Sequence, residues 1–310
     1  MAGETSKKSG EIGEAIAIKL LELIGWRQSI QNVSVGCNNS RHKSETGGKR
    51  HSHGDDQIHL YNSPFYDNHT EMIHVSVKNS IGSHPAEGTL REKLKSHIHD
   101  LNELIDCAQY DPKIKKLISN FQPKGLVNHI GLLVWLYNDE KNIECNIKPF
   151  LAKAQIDGEY KYPVFLIDNE RASFIIKVVD HLDIIKKDGI AQFFYPQLGV
   201  NIQADENRFG DKLPIQLICS DIIPCLIRRE NKTELLLYTN DPFNEANYIR
   251  MMAYGLQFAG GLVLDIYLGF PDYNVGKHEE VANMAREIFH ERKENIFPFS
   301  FNRSILSLIL

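Results

Sequence analysis

The sequence lacks any long hydrophobic run. Its apolar stretches, such as Gly260–Leu264 and Ile305–Leu310, are far shorter than the roughly 18 apolar residues that span a bilayer. No apolar segment follows Lys7 and Lys8, as it would in a secretory signal peptide. We therefore expect a cytoplasmic protein without a membrane segment.

Paired cysteine motifs are also missing from the 310 residues. The five cysteines are widely spread along the chain: Cys37, Cys107, Cys145, Cys219 and Cys225. They show neither C-x-x-C nor zinc-ribbon spacing, which favours reduced thiols. His51, His53 and His59 lie close together, but no matching Cys/His pair accompanies them, so the spacing does not predict structural zinc.

An excess of positive charge is absent as well. The formal net charge is −5, so the chain has no global electrostatic footprint for nucleic acid. Residues 1–100 are less acidic than the rest and hold nine of the 13 histidines. Any nucleic-acid site is therefore expected to be local and to lie in this region.

Hydrophobic periodicity predicts helix, three strands, helix and strand over the first 140 residues. Gly25 stands where it would end the first helix, and Gly36–Gly54 is predicted as a mobile basic loop. The predicted elements are a helix over Ser9–Ile24, strands over Ile30–Val35, Gln57–Tyr61 and Met72–Val77, a helix over Glu87–Tyr110, and a buried strand over Leu126–Tyr137.

Residues 141–310 predict a second α/β region, which we separate from a first domain of residues 1–140. Asp168 is expected to cap a helix that runs to about Lys187. The other predicted elements are strands over Val164–Ile167, Ile215–Cys219, Ile222–Arg228, Glu234–Tyr238 and Leu262–Leu268, and helices over Asn244–Phe258 and His278–Arg292. This region shows no recognisable site, and its role is expected to be partner binding or oligomerisation.

Three sets of residues in the first half carry candidate chemistry. Glu14 lies at the margin of the apolar face of the first helix, which we centre on Ile12, Ile16, Leu20, Leu23 and Ile24. Gly13, inside that stripe, would let the helix approach a sheet closely. Taken alone, the helix favours the alternative explanation, in which Glu14 is a solvated flanking residue.

The second set is the carboxylate pair Asp55 and Asp56, which follows Gly54 at the start of a strand. Oxygen ligands of this kind suit a hard divalent cation such as Mg²⁺. A turn feature is the alternative explanation of this pair.

The third set lies on the strand that contains Ser76 and Lys78, which alternation puts on one face. A positioned lysine can offset charge in phosphoryl transfer. The alternative is a lysine whose charged end reaches solvent from the strand end.

Together, these residues and the αβββαβ order resemble the PD-(D/E)XK, or restriction-endonuclease-like, nucleases. The resemblance covers residues 1–140 and implies a mixed central sheet and metal-dependent DNA hydrolysis. It gives catalytic roles to Asp56, Lys78 and Glu14, and Mg²⁺ or Mn²⁺ ligation to Asp56, Glu14 and Asp55. Ser76 departs from the pattern, because the superfamily usually has Glu, Asp or Gln there.

More narrowly, four sequence segments look like nuclease subunits of two-gene bacterial anti-phage systems of the Gamma-Mobile-Trio type. They are the opening Gly-Glu-x-x-Glu-Ala, Leu-Leu-Glu-Leu-Ile-Gly-Trp, His-Gly-Asp-Asp and His-Val-Ser-Val-Lys-Asn-Ser. This resemblance implies a DNA-cleaving effector that works with a second, separately encoded subunit. Homo-oligomer formation stays open.

The basic loop has two interpretations. It is either a solvated segment or a contact for the phosphate backbone of DNA. The candidate nucleic-acid-binding residues are Arg41, Lys43, Lys49, Arg50 and Ser76.

Two functional hypotheses follow. The first is an Mg²⁺-dependent deoxyribonuclease of an anti-phage system. In the second, Ser76 marks the loss of metal binding, and the chain is a catalytically degenerate DNA-binding or assembly subunit.

Overall fold

The computed structural model describes residues 2–44, 46–138, 143–152, 154, 160–197, 208–230 and 232–302. The chain divides into two compact units, Met1–Ser173 and Phe174–Leu310. Among the helices in the described ranges, none has both the length and the apolar character needed to cross a membrane.

The first unit is built on a five-stranded mixed sheet of order β1-β2-β3-β4-β5. Strands β1, β2 and β3 pair antiparallel, whereas β3, β4 and β5 pair parallel. The elements are α1 (Ala2–Leu23), β1 (Ile30–Gly36), β2 (Ser52–Asn62), β3 (His69–Ile81), α2 (Glu87–Ala108), α3 (Pro112–Phe121), β4 (Leu126–Asn138), α4 (Lys148–Leu151) and β5 (Val164–Ile167). The expected α/β class with a restriction-endonuclease-like αβββαβ core is confirmed.

Helix α1 ends as the sequence indicates. Gly25 has a φ of 85°, and its N–H donates to the Glu22 carbonyl. The next N–H, of Trp26, reaches back to Leu21 at 2.9 Å. Glycine adopts this left-handed conformation without steric cost, so the helix stops here and the chain turns toward β1.

The buried face of α1 differs from the predicted one. Ile12, Ile16 and Leu23 were expected at its centre but are 39%, 38% and 47% exposed, whereas Gly13 and Ala17 are buried. The cause is the close approach at Gly13, where an added Cβ would lie 2.3 Å from Asn79 Cβ. The small side chains therefore face the sheet, and the neighbouring Glu14 is half-buried.

The segment Gly36–Gly54 is folded rather than open, which corrects the expectation of a mobile loop. Gly36 belongs to β1, residues 52–54 belong to β2, and the described residues between them double back as a hairpin. Cys37 N–H donates to the His51 carbonyl at 2.9 Å, and Arg50 N–H donates to the His42 carbonyl at 3.3 Å. Turn residues in the sequence indicate the reversal, but these long-range hydrogen bonds are not visible in its composition.

The second unit contains a six-stranded mixed sheet of order β11-β10-β9-β8-β6-β7. Its elements are β6 (Ile190–Phe194), β7 (Phe209–Gly210), α6 (Ile215–Ile218), β8 (Ile222–Arg229), β9 (Lys232–Thr239), α7 (Glu245–Ala259), β10 (Asp265–Phe270), α8 (Val275–Arg286) and β11 (Asn295–Ser300). Helix α5 (Asn169–Ile185) joins the two units along the chain, and Asp168 caps it by accepting from Arg171 N–H at 2.9 Å.

One predicted strand is wrong. Ile215–Cys219 was expected to be extended, but Ile215–Ile218 is the short helix α6. The N–H groups of Leu217 and Ile218 both reach the Pro214 carbonyl, at 2.9 and 3.2 Å. A four-residue segment with three apolar side chains fits either structure, and here the preceding proline starts a helical turn.

Candidate active site

Strands β2 and β3 hold Asp56 against the segment that contains Lys78. Their antiparallel register pairs Gln57 with Val75. One step further along, Asp56 Oδ2 accepts a hydrogen bond from the Val77 N–H at 2.6 Å. The carboxylate is therefore fixed beside the backbone that joins Ser76 to Lys78, and all three of these side chains are half-buried.

Helix α1 brings Glu14 into the electrostatic field of Asp56. Two hydrogen bonds fix the helix on β3: Asn79 Nδ2 donates to the Ser9 carbonyl at 2.7 Å, and Ser9 Oγ donates to the Asn79 carbonyl at 3.2 Å. Burial, followed by the negative charges of Asp56 and Glu11, raises the pKa of Glu14 above its ordinary value. The two acids therefore lie close enough for their charges to repel.

Lys78 lies near a histidine that the sequence did not single out. His97 of α2 packs edge-on against Trp135, with ring centroids 5.1 Å apart. Burial, and next the positive charge of Lys78, lower the pKa of His97 to about 4. His97 is consequently neutral at physiological pH. Of these two neighbouring side chains, Lys78 therefore carries the positive charge.

Asp55, which was predicted as a metal ligand, lies in a buried polar chain. Its Oδ2 is 2.6 Å from His74 Nδ1, and His74 Nε2 is 2.9 Å from His129 Nδ1. Burial raises the pKa of Asp55, although the neighbouring His74 opposes that shift. Burial also lowers the pKa of His129 to about 4. This arrangement gives Asp55 a structural partner that its position in the sequence does not reveal.

The candidate DNA-contacting residues fall into two groups. Arg41, Lys43 and Lys49 are exposed on the hairpin between β1 and β2. Arg50 instead forms ion pairs with Asp100 at 3.0 Å and Glu103 at 3.2 Å, both on α2. Its charge is therefore largely compensated by α2, whereas no ion pair of the other three is found within the described ranges.

The donor set at this site suits a hard divalent cation. Asp56 and Glu14 offer carboxylate oxygens, and their mutual repulsion is relieved when a cation binds between them. Asp55 fits less well, because one of its oxygens is committed to His74 and the residue is 1% exposed.

The restriction-endonuclease-like class is defined by a mixed sheet between two helices, here α1 and α2. Its second strand carries an aspartate and its third strand a lysine. The family model described as "GAPS4 protein PD-(D/E)XK nuclease domain" matches residues 1–171, more than half of the chain. The chain therefore belongs to this family, and the resemblance to a PD-(D/E)XK nuclease of an anti-phage defence system is confirmed. No curated protein and no solved structure matches it.

Proposed function

We propose that the protein is a metal-dependent DNA endonuclease that acts in the cytoplasm as the effector of an anti-phage defence system. The observation that supports this most directly is the 2.6 Å hydrogen bond from Val77 N–H to Asp56 Oδ2. It fixes an acid of β2 beside a lysine of β3, within a nuclease family of defence systems.

In this proposal Asp56 and Glu14 hold Mg²⁺ or Mn²⁺, with a backbone carbonyl of the Ser76–Lys78 segment as a further oxygen donor. A divalent cation supplies Lewis acidity, which activates water and polarises the phosphate. Lys78 orients the attacking water and stabilises the negative charge that develops on the phosphate. Asp55 positions its neighbour through the buried bond to His74, and we leave it out of the ligand set.

DNA would approach over the hairpin that precedes Asp56 along β2. Arg41, Lys43 and Lys49 are exposed there, so their charged ends are accessible to phosphates. Arg50 is paired with α2 and is better explained as a structural residue. Ser76 contributes a hydroxyl between Asp56 and Lys78 that can donate to a phosphate oxygen.

A cleavage assay with the purified full chain tests the activity. Closed circular DNA and linear DNA are incubated with Mg²⁺ or Mn²⁺, with and without a chelator. We expect nicking or linearisation of circular DNA that stops when the chelator is added. Cleavage restricted to linear ends would exclude an endonuclease, and chelator-resistant cleavage would exclude the metal-dependent mechanism.

We also propose that a second, separately encoded subunit controls the nuclease, since unregulated cleavage would damage the host. The large second unit, Phe174–Leu310, is the candidate for partner binding or oligomerisation. Co-expression with the neighbouring gene should yield a complex that co-purifies at a fixed ratio. Separate elution of the two proteins would contradict the two-subunit proposal.

Ser76 supports a second candidate function. Because it replaces the usual acid two residues before the lysine, one metal ligand is lost, and a degenerate DNA-binding or assembly subunit becomes the alternative. Such a protein would retain labelled DNA in a mobility-shift assay, lose it with rising salt, and leave it uncut at every Mg²⁺ and Mn²⁺ concentration.

A further inference from the structure

A second group of potential metal ligands lies apart from the carboxylates, between the hairpin and α2. It consists of two thiols and two imidazoles whose ligand atoms all lie within 4.8 Å of one another: Cys37, His42, His53 and Cys107. We propose that these four residues bind a structural Zn²⁺ ion, which joins the hairpin to α2.

Four of the six distances between the ligand atoms are close to those of a tetrahedral zinc site, and the other two are within 4.8 Å. Zinc–sulfur bonds of about 2.3 Å and zinc–nitrogen bonds of about 2.05 Å imply separations of roughly 3.8 Å for S···S, 3.5 Å for S···N and 3.3 Å for N···N. The two Sγ atoms are 3.9 Å apart, and His42 Nδ1 lies 3.3 Å from His53 Nε2. The same Nδ1 is 3.6 Å from Cys37 Sγ and 3.4 Å from Cys107 Sγ.

Ordinary hydrogen bonds do not account for this convergence. An imidazole nitrogen carries either one hydrogen or one lone pair in the ring plane, so it makes one good hydrogen bond. His42 Nδ1 nevertheless has three candidate partners within 3.6 Å. A cation at the centre of the four groups satisfies all of them at once.

The burial of these side chains also supports a bound metal ion. Cys107 and His53 are 0% and 1% exposed, and His42 is 7% exposed. The thiols belong to an apolar cluster formed with Val35 and Ile58. Polar atoms in such surroundings require satisfied bonds, and metal coordination provides them.

The ligands come from the hairpin, the strand that follows it and helix α2. Cys37 directly follows β1, His42 lies in the hairpin, His53 lies on β2, and Cys107 lies in the last turn of α2. The other ring nitrogen of His42, Nε2, lies 3.1 Å from the Asn39 amide and 3.9 Å from the Asp106 carboxylate. Polar partners of this kind orient a metal-ligating histidine.

Thiolate and imidazole ligands in tetrahedral geometry favour zinc over magnesium, which prefers oxygen. The proposed ion is therefore distinct from the catalytic cation, and its role is structural because four protein ligands leave no open position. Cys37 and Cys107 are not joined in a disulfide, which leaves both sulfur atoms available to a metal ion.

Elemental analysis of the purified full chain tests the proposal. We expect about one zinc per chain after dialysis, and at least a tenfold lower content in the double variant His42→Ala/Cys107→Ser. His51→Ala and Cys145→Ser are matched controls, because they remove an imidazole from the same hairpin and a thiol from elsewhere. Both should keep the zinc.

The parent chain also gives a readout that does not depend on how the variants fold. Replacement of zinc by Co²⁺ should produce the visible absorption bands of tetrahedral cobalt with thiolate ligands, and a chelator should lower the melting temperature until Zn²⁺ is restored. A zinc-free parent, full zinc content in the double variant, or a Cys37–Cys107 disulfide in the purified protein would each overturn the proposal. None of these measurements requires nuclease activity.

Discussion

Lys78 is the side chain on which the proposed chemistry depends most. It ends up beside His97, which is neutral at physiological pH, so Lys78 supplies the positive charge at this position. Strand alternation in the sequence placed Lys78 among the candidate site residues. His97 was not predicted, because it lies on another element and its approach depends on how α2 packs on β4.

Replacing Lys78 should abolish most of the activity. Lys78→Met keeps the length of the side chain but removes the charge that stabilises the developing negative charge on phosphate. We expect a loss of about 10²–10³-fold in cleavage rate. Lys116→Met, at an exposed position of α3, is the control and should cleave like the parent. Equal rates for the two variants would remove Lys78 from the mechanism.

The adjacent acids Asp55 and Asp56 should respond differently to the same substitution. Asp55→Asn weakens the buried bond to His74 and should lower the free energy of unfolding by about 2 kcal/mol. Asp56→Asn should have a smaller effect on stability and a larger one on metal-dependent cleavage. Urea unfolding and cleavage rates of both variants check this. A fully stable Asp55→Asn that has lost its metal dependence would instead make Asp55 a ligand.

Glu14 gives a prediction about pH. Its pKa is raised above its ordinary value, so between the unfolded-state and folded-state pKa values the folded chain binds more protons than the unfolded chain. Stability therefore falls as the pH rises through this range. Without divalent cations, Glu14→Gln should therefore be more stable than the parent at pH 7, and the difference should disappear at low pH.

Urea unfolding at several pH values measures this difference, with the exposed Glu22→Gln as control. Added Mg²⁺ should stabilise the parent more than Glu14→Gln, because the variant loses a ligand. A Glu14→Gln chain whose stability follows the parent at every pH, with and without Mg²⁺, would make Glu14 a solvated flanking residue.

At the scale of elements, the fit of α1 on β3 places Glu14. The sequence predicted the helix and its end at Gly25, but centred the buried face on the larger side chains. Periodicity ranks residues by hydrophobicity, whereas the packing is set by the contact of Gly13 with Asn79 and by the hydrogen bonds of Ser9. Such contacts between distant residues cannot be read from a helical pattern.

Two glycines of α1 provide a matched test of this packing. A Cβ at Gly13 would meet Asn79, so Gly13→Ala should destabilise the chain by about 1–3 kcal/mol. Gly10 has nothing within 4 Å of an added Cβ, so Gly10→Ala should be neutral or stabilise by up to about 1 kcal/mol, as expected from helix propensity. Denaturant unfolding compares them. Equal effects would mean that α1 does not approach β3 so closely.

Helix α3 has a clear local start signal in the sequence, but it was not predicted. Asp111 accepts hydrogen bonds from Lys113 and Ile114 N–H, and Pro112 occupies the first turn. Asp-Pro is a recognisable helix start, yet no helix was predicted over Pro112–Phe121. The Asp111 carboxylate also accepts from Gly36 N–H at 2.8 Å, a contact across the sequence that only the folded chain reveals.

At the scale of the whole molecule, the sequence predicted the αβββαβ order because each of those elements has a strong period and clear turn residues. The prediction was less accurate in the second unit. The short segment Ile215–Ile218 fits both a strand and a helix, and β11 at Asn295–Ser300 was not predicted. The Cys/His group was missed for a different reason: Cys107 is distant in sequence from the other three ligands, and only the packing of α2 brings it to them.

The most direct test of the central claim is the rate of DNA cleavage by the full chain, Asp56→Asn and Asp67→Asn. Each is assayed in Mg²⁺ or Mn²⁺, alone and with the proposed partner subunit. Asp67 is an exposed turn residue, so its variant controls for the loss of one carboxylate. We predict cleavage by the parent and Asp67→Asn, and at least a 10²-fold loss in Asp56→Asn. Undiminished cleavage by Asp56→Asn, or DNA bound but uncut by the parent, would contradict the account.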